Sequence, residues 1–349
     1  MRIAQVAPLH ESVPPPRYGG TERIVSYLTE ELVRAGHDVT LFASGDSVTR
    51  ARLVPCSPRA LRGAGCRDTL AVHFRMLERV AAAARDFDVI HFHVDYMHFP
   101  MTRRLRFPHL TTLHGRLDYP EVASLYNEFR EMPVVSISDA QREPVPALNW
   151  VGTVHHGLPA DLYRFTPAPG GYLAFLGRLS PEKRCDRAIE IARRAGLPLK
   201  IAGKVDVNDR DYFRSVVEPL LGKADVEFVG EIGDERKSDF LGDALALLFP
   251  IDWPEPFGLV MVESFACGTP VVAWRNGSVP EVMAEGVTGY MVDTVDEAVQ
   301  AVQRVASLDR RACRAVFDAR FTVPRMLSGY LALYEAAAAR SKRWTKSSA

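Results

Sequence analysis

The chain has 349 residues, enough for two domains. Its 43 basic and 43 acidic side chains cancel, which argues against a partner such as nucleic acid held by bulk counter-charge. Apolar residues at 47% and charged residues at 25% are those of a globular chain in water, and no apolar run reaches the ~20 residues that cross a bilayer.

Residues 2–7 read as a first strand and not as a signal peptide. A proline-rich loop follows and ends at Gly19 and Gly20, where a ligand can approach the backbone closely. Thr21 is the expected cap of a helix reaching about Ala35, ended by Gly36. Residues 38–42 form the next strand, and this strand–loop–helix–strand order predicts a parallel sheet. An alanine-rich helix over 70–85 precedes strands at 89–94, 109–113 and 134–137. Ligands bind beyond the C-terminal ends of such strands. Residues 158–171, with three prolines and two glycines, read as a linker between domains. Strands follow at 172–176, 199–202, 226–229 and 246–249, with helices between them. After Phe321, the residues Met326, Leu327, Tyr330, Leu331, Leu333 and Tyr334 mark a closing amphipathic helix, and the basic, polar tail after Ala339 reads as frayed.

The most informative segment is Glu255-Pro-Phe-Gly-Leu-Val-Met-Val-Glu263, continued by Ser-Phe-Ala-Cys-Gly-Thr-Pro-Val-Val-Ala273. Pro256 and Gly258 predict a helix start near Gly258 or Leu259, with Gly268 as its C-terminal cap and a short buried strand over 271–273. Glu255 then precedes the helix and Glu263 lies about one turn inside it. Between them the amides of Phe257, Gly258, Leu259 and Val260 and the positive end of the helix dipole form an anion site. Amides for phosphate and carboxylates for hydroxyl pairs suit a sugar nucleotide.

This segment resembles the retaining glycosyltransferases of the GT-B fold, glycosyltransferase family 4 (glycosyl transferases group 1), in which two glutamates are separated by seven residues. The resemblance covers nearly the whole chain and is firmest over 172–290. It implies an α/β protein of two Rossmann-like domains facing across a cleft. These are an acceptor-binding domain over 1–162 and a nucleotide-sugar domain over 163–322, with the helix of 323–349 crossing back to the first. It implies that Glu263 holds the ribose hydroxyls and Glu255 the donor sugar. Gly177-Arg178-Leu-Ser-Pro-Glu-Lys183 matches the family's segment whose Arg and Lys hold the diphosphate. Their cations stabilise the leaving nucleotide as its charge develops. Gly19 and Gly20 match the glycine loop over the reaction centre, and His114 a histidine that meets the donor sugar. Ser136 and Ser138 match a strand-end motif, while Gly230 and Ile232 lie where relatives hold the base. His156 stands where relatives often have asparagine, a departure from the pattern.

The implied reaction is transfer of a sugar from a UDP- or GDP-linked donor to a hydroxyl acceptor (a glycan, a lipid-linked or a small molecule), by front-face displacement and without a metal or other cofactor. A phosphorylase or sucrose/trehalose-type enzyme on the same fold and a non-catalytic nucleotide-sugar binding protein are the alternatives. His91, His93, Asp95 and His98 imitate metal ligands, and Asp86-x-Asp88 and Asp209-x-Asp211 imitate a metal-binding pair. The histidines match a strand end that carries no metal in the family, and Asp209 with Asp211 reads as helix capping. Arg103, Arg104 and Arg106 read as a solvated basic face, with contact to an anionic membrane surface as the alternative. Five scattered cysteines without a CxxC pair suit a cytoplasm, with the membrane periphery as the alternative site. Base, sugar, acceptor and oligomeric state stay open at this stage.

Overall fold

The structure is a computed structural model that describes residues 1–17, 19–222 and 225–347, with 341–347 described by their backbone only. Tyr18, the first residue of the glycine loop, lies outside the described residues. The chain divides into two compact units, Met1–Gly157 with Val323–Ala349, and Leu158–Thr322.

The first unit is built on strands β1 (Arg2–Val6), β2 (Asp38–Ser44), β3 (Arg52–Ser57), β4 (Val89–Phe92), β5 (His109–Thr112), β6 (Val134–Ser136) and β7 (Trp150–Thr153). They form one parallel sheet in the order β3-β2-β1-β4-β5-β6-β7. Strand β1 is buried after its first residue, as expected of a central parallel strand covered by helices on both faces. The order reverses between β1 and β4, so their C-terminal ends flank the crevice where ligands bind in such sheets. The C-terminal helix Val323–Ser347 returns to this unit. It buries Met326, Leu327, Tyr330 and Tyr334, and each fully buried apolar side chain stabilises by about 1.5–3 kcal/mol. Close approach explains Gly152, where an added Cβ would lie 3.0 Å from Leu333.

The second unit contains β8 (Tyr172–Leu176), β9 (Leu199–Ala202), β10 (Val226–Gly230), β11 (Ala244–Phe249), β12 (Val271–Trp274) and β13 (Gly289–Val292). They make a parallel sheet in the order β10-β9-β8-β11-β12-β13. Its reversal falls between β8 and β11.

Several expectations need correction. The first helix is Gly20–Arg34, and the cap position belongs to Gly19 at φ 142°, not to Thr21. Glycine reaches that conformation without a Cβ penalty, so no side-chain cap is required. The segment after Leu158 is not a free linker, because Tyr163 is buried and its hydroxyl donates to Glu263 at 2.9 Å. The final helix continues to Ser347, past the start of the basic tail after Ala339. Strands β3, β7 and β13 were not legible. All three are edge strands, β3 and β7 of modest burial, and β13 opens with a glycine.

Candidate functional site

In the second unit the sequence motifs converge at the sheet reversal. The loop after β8 carries Arg178 and Lys183, and the loop after its neighbour β11 carries Glu255. The Lys183 ammonium pairs with the Glu255 carboxylate, the two side chains being 19% and 11% exposed. It also lies 4.8 Å from the centre of the Trp253 ring, a cation–π arrangement that further fixes it. Arg178 pairs with Glu182 and stands 3.5 Å from Asp209. Sequence spacing gave both cations a phosphate but no carboxylate partners. Asp209 makes no side-chain helix cap. It is buried against Arg178 instead, and burial raises its carboxyl above the ordinary value.

The backbone of Glu255 is set by a neighbour that the sequence reading missed. An added Cβ on Gly277 would lie 2.4 Å from the Glu255 amide nitrogen and carbonyl oxygen, so only glycine fits there. Ser278 donates its amide to the Glu255 carbonyl at 2.9 Å.

The helix begins at Leu259 and ends at Cys267, as the Pro/Gly break predicts. Gly258 enters it at φ 75°, and a Cβ there would meet the Met261 terminal methyl at 2.5 Å. The first turn bond runs from the Met261 amide to the Gly258 carbonyl at 2.9 Å, so the amides of Leu259 and Val260 face out of the helix end. Phe257 is buried, its ring edge-on to Phe321. Glu263 is 3% exposed. One of its oxygens accepts from both the Tyr163 hydroxyl at 2.9 Å and the Lys237 ammonium at 2.7 Å. Lys237 and Tyr163 carry no motif of their own, and only the folded chain brings them to Glu263. Gly230 closes β10 at φ 76°, and Ile232 beyond it is buried.

In the first unit, Gly19 abuts Pro15 while the Cα of Gly20 faces open space. His114 follows β5. Its ring stacks on His156 with centroids 5.2 Å apart, which gives the unexpected histidine at 156 a partner. Strand alternation puts His91 and His93 on one face, their rings 3.9 Å apart. His98 lies on the other face, stacked on Phe92 at 3.7 Å. Both nitrogens of His91 are engaged, with the Tyr334 hydroxyl at 2.8 Å and Thr112 at 2.7 Å. His98 bonds Thr111 at 2.7 Å. Among the described residues, no three His, Cys, Asp or Glu side chains stand together as a metal-binding group. Burial lowers His114 to about 3 and holds His91, His93, His98 and His156 well below the usual imidazole range. Burial also pushes the Asp95 carboxyl up to about 6. Ser136 bonds Thr153 of β7 at 2.9 Å and ties the two strands, while Ser138 accepts the Gln141 amide at 3.0 Å and braces the turn after β6.

The basic cluster is less positive than its sequence suggests. Arg103 donates to Glu131 at 2.6 Å and to Glu128 at 2.8 Å. It borders a cavity of about 520 Å³ that Arg106, Phe107, Met132, Val151 and Leu333 also line. That cavity opens beside the N-terminal ends of β5 and β6, the opposite edge of the sheet from the strand ends that carry the candidate residues. No described helix is long and apolar enough to cross a membrane.

Comparison with known proteins places the chain in a family and a fold. Residues 18–189 match the family described as Glycosyltransferase Family 4, and residues 166–315 match Glycosyl transferases group 1. The chain is 27% identical over 352 residues to a phosphatidyl-myo-inositol mannosyltransferase of Mycolicibacterium smegmatis, covering 92% of this chain and 88% of that one. A D-inositol 3-phosphate glycosyltransferase of Streptomyces avermitilis is 32% identical over 177 residues, 43% of this chain and 38% of that one. Among solved structures, AviGT4, a glycosyltransferase involved in avilamycin A biosynthesis, superposes with a TM-score of 0.75 at 24% identity, covering 97% of this chain and 98% of that one. Anabaena HepE in complex with UDP-glucose superposes with a TM-score of 0.74 at 18% identity, covering 96% of this chain and 100% of that one.

Proposed function

The chain is a glycosyltransferase of the GT-B fold, with Family 4 and group 1 regions that together span residues 18–315, and from that premise we propose that it is a retaining, metal-independent enzyme using a nucleoside diphosphate sugar. One observation carries the reading: the loops after β8 and β11 bring Lys183 onto Glu255 at the sheet reversal, one helix start away from buried Glu263.

In this reading Glu263 accepts the ribose hydroxyls and Glu255 orients the donor sugar. The amides from Phe257 to Val260 and the cations Arg178 and Lys183 receive the diphosphate. Gly19, Gly20 and His114 serve the sugar end, and Gly230 and Ile232 the base, by the family resemblance. The bond from the anomeric carbon to the phosphate oxygen breaks. The bond to the acceptor oxygen forms on the same face, and the acceptor proton passes to the leaving phosphate. Two cations and a helix N-terminus there stabilise the developing charge. HepE was solved with UDP-glucose, and the relatives above include a mannosyltransferase and an inositol 3-phosphate glycosyltransferase. These support a UDP- or GDP-linked hexose and a hydroxyl acceptor.

The test is a panel of nucleotide sugars read by transfer or slow donor hydrolysis, before and after exhaustive dialysis against EDTA. Turnover of at least one donor, unchanged by EDTA and with the anomeric configuration kept, is expected. Activity that vanishes and returns only with Mg²⁺, Mn²⁺ or Zn²⁺ would refute the metal-independent reading.

Glu263→Gln is expected to weaken nucleotide and donor alike by ~1.5–3 kcal/mol, because the charged acceptor of two hydroxyls is lost. Calorimetry with free nucleoside diphosphate checks this. Unchanged affinity would reassign Glu263 to a structural role with Lys237 and Tyr163.

A further inference from the structure

A buried run of hydrogen bonds joins the C-terminal helix to His114, and every donor in it points the same way. The Gln5 amide nitrogen donates to the Tyr334 hydroxyl at 2.9 Å, which leaves the Gln5 carbonyl oxygen facing His93 Nε2 at 2.8 Å. A carbonyl only accepts, so His93 carries its proton on Nε2. Burial keeps His93 neutral, so its Nδ1 is a bare acceptor. His114 Nε2, 2.9 Å away, must donate to it. On the other side the Tyr334 hydroxyl, having accepted from Gln5, donates to His91 Nδ1 at 2.8 Å. His91 Nε2 then donates to Thr112 at 2.7 Å, and the Thr112 hydroxyl to Tyr330 at 2.9 Å.

The end of this series is a neutral His114 with its proton on Nε2 and a bare Nδ1. That Nδ1 is screened from solvent and has no hydrogen-bond partner among the described residues. An unmatched buried acceptor is costly unless a ligand completes it. We propose that Gln5, His93 and Tyr334 are positioning residues that fix His114 as the Nε2–H tautomer, so that Nδ1 accepts a hydrogen bond from a hydroxyl of the donor sugar.

The proposal rests on the reading that His114 serves the donor. It deepens that reading by extending the machinery to Tyr334, a residue on the last helix, 220 positions further along the sequence than His114. Gln5 is the element that gives the series its direction. A flipped amide would reverse every bond and would turn His114 Nδ1 into a donor. Aligned bonds of low dielectric reinforce one another, which favours one polarity over a mixture.

The experiment uses the full-length protein labelled with ¹⁵N-histidine. Long-range proton–nitrogen correlation spectra report the tautomer of each ring, with His114→Ala supplying the assignment. Steady-state kinetics follow the same variants. Wild type should show His114 as Nε2–H alone. Tyr334→Phe and Gln5→Leu should convert it to a mixture and lower kcat at least tenfold, the rate equivalent of about one lost hydrogen bond, with a smaller change in KM. Gln5→Glu should reverse the series and keep kcat low, because its acidic O–H donates to the more basic His93 Nε2, which moves the His93 proton to Nδ1 and leaves His114 as the Nδ1–H tautomer. If Tyr334→Phe does not fold, the Gln5 pair carries the test alone. An Nδ1–H signal in wild type, an unchanged tautomer in Gln5→Leu, or a lost tautomer with unchanged kcat would each overturn the proposal. Full activity in His114→Ala would instead overturn the placing of His114 at the donor, whatever the tautomer spectra show.

Discussion

Replacing Lys183 by alanine is expected to lower turnover by on the order of 10²-fold or more while the protein stays folded. Breaking the bond to the leaving diphosphate places new negative charge on phosphate oxygens, and a fixed cation stabilises that state more than the ground state. Lys183 is fixed by its Glu255 partner and by the Trp253 ring. Its removal also leaves the Glu255 carboxylate, 11% exposed, without a cation, a cost of about 1–3 kcal/mol in stability. The two effects separate in a double variant. Adding Glu255→Gln removes the unpaired charge and should recover thermal stability, but it cannot recover turnover. Arg178→Ala should lose turnover on the same scale with less effect on stability, since Arg178 is 34% exposed. The measurement is kcat/KM beside a thermal melt. Rates within twofold of wild type on a folded protein would dismiss Lys183 as a catalytic residue.

The site was legible where a backbone break and its chemistry sit in one short segment. Glu255 to Gly268 announces a loop, a helix and a capping glycine in order, and the helix falls at Leu259–Cys267. Apolar runs separated by helical spacing gave the parallel sheets, because strands buried on both faces need little beyond apolar residues. What stayed hidden depends on long-range packing. Lys237 and Tyr163 reach Glu263 from sequence distances of 26 and 100 residues. Gly277 looks like any turn glycine until the Glu255 backbone lies against it. Asp209 looked like a helix cap because its local sequence favours one, and tertiary pairing with Arg178 took it elsewhere. The histidines of the first unit resembled metal ligands, since spacing shows which face they share and not which hydroxyl or amide each ring meets.

Acid should unfold the first unit before the second. All ten histidines lie within residues 1–157, and the second unit has none. Burial lowers His109 to about 4 and His114 to about 3, and keeps His91, His93, His98 and His156 well below the usual range. A histidine held neutral in the fold binds a proton in the unfolded chain once pH falls below about 6.5. The unfolded state then holds more protons, so stability falls with falling pH, by up to about 1.4 kcal/mol per pH unit for each such residue. Asp95 works the other way. With its carboxyl raised to about 6, the folded state takes up a proton that the unfolded chain accepts only near its ordinary value of 3.8, which offsets one histidine. The buried histidines outnumber Asp95 and all act in one direction, so together they draw on a domain stability of only about 5–15 kcal/mol. Carboxylates alone would begin to act only near pH 4.5. Scanning calorimetry between pH 7.5 and 5 should therefore show one transition moving steeply to lower temperature and a second that barely moves. Limited proteolysis at pH 5 should cut within residues 1–157 first. Two transitions that both hold their temperature to pH 5 would mean that the buried histidines acquire protons without opening the fold, and that the hydrogen-bonded series around His93 and His114 is looser than its geometry implies.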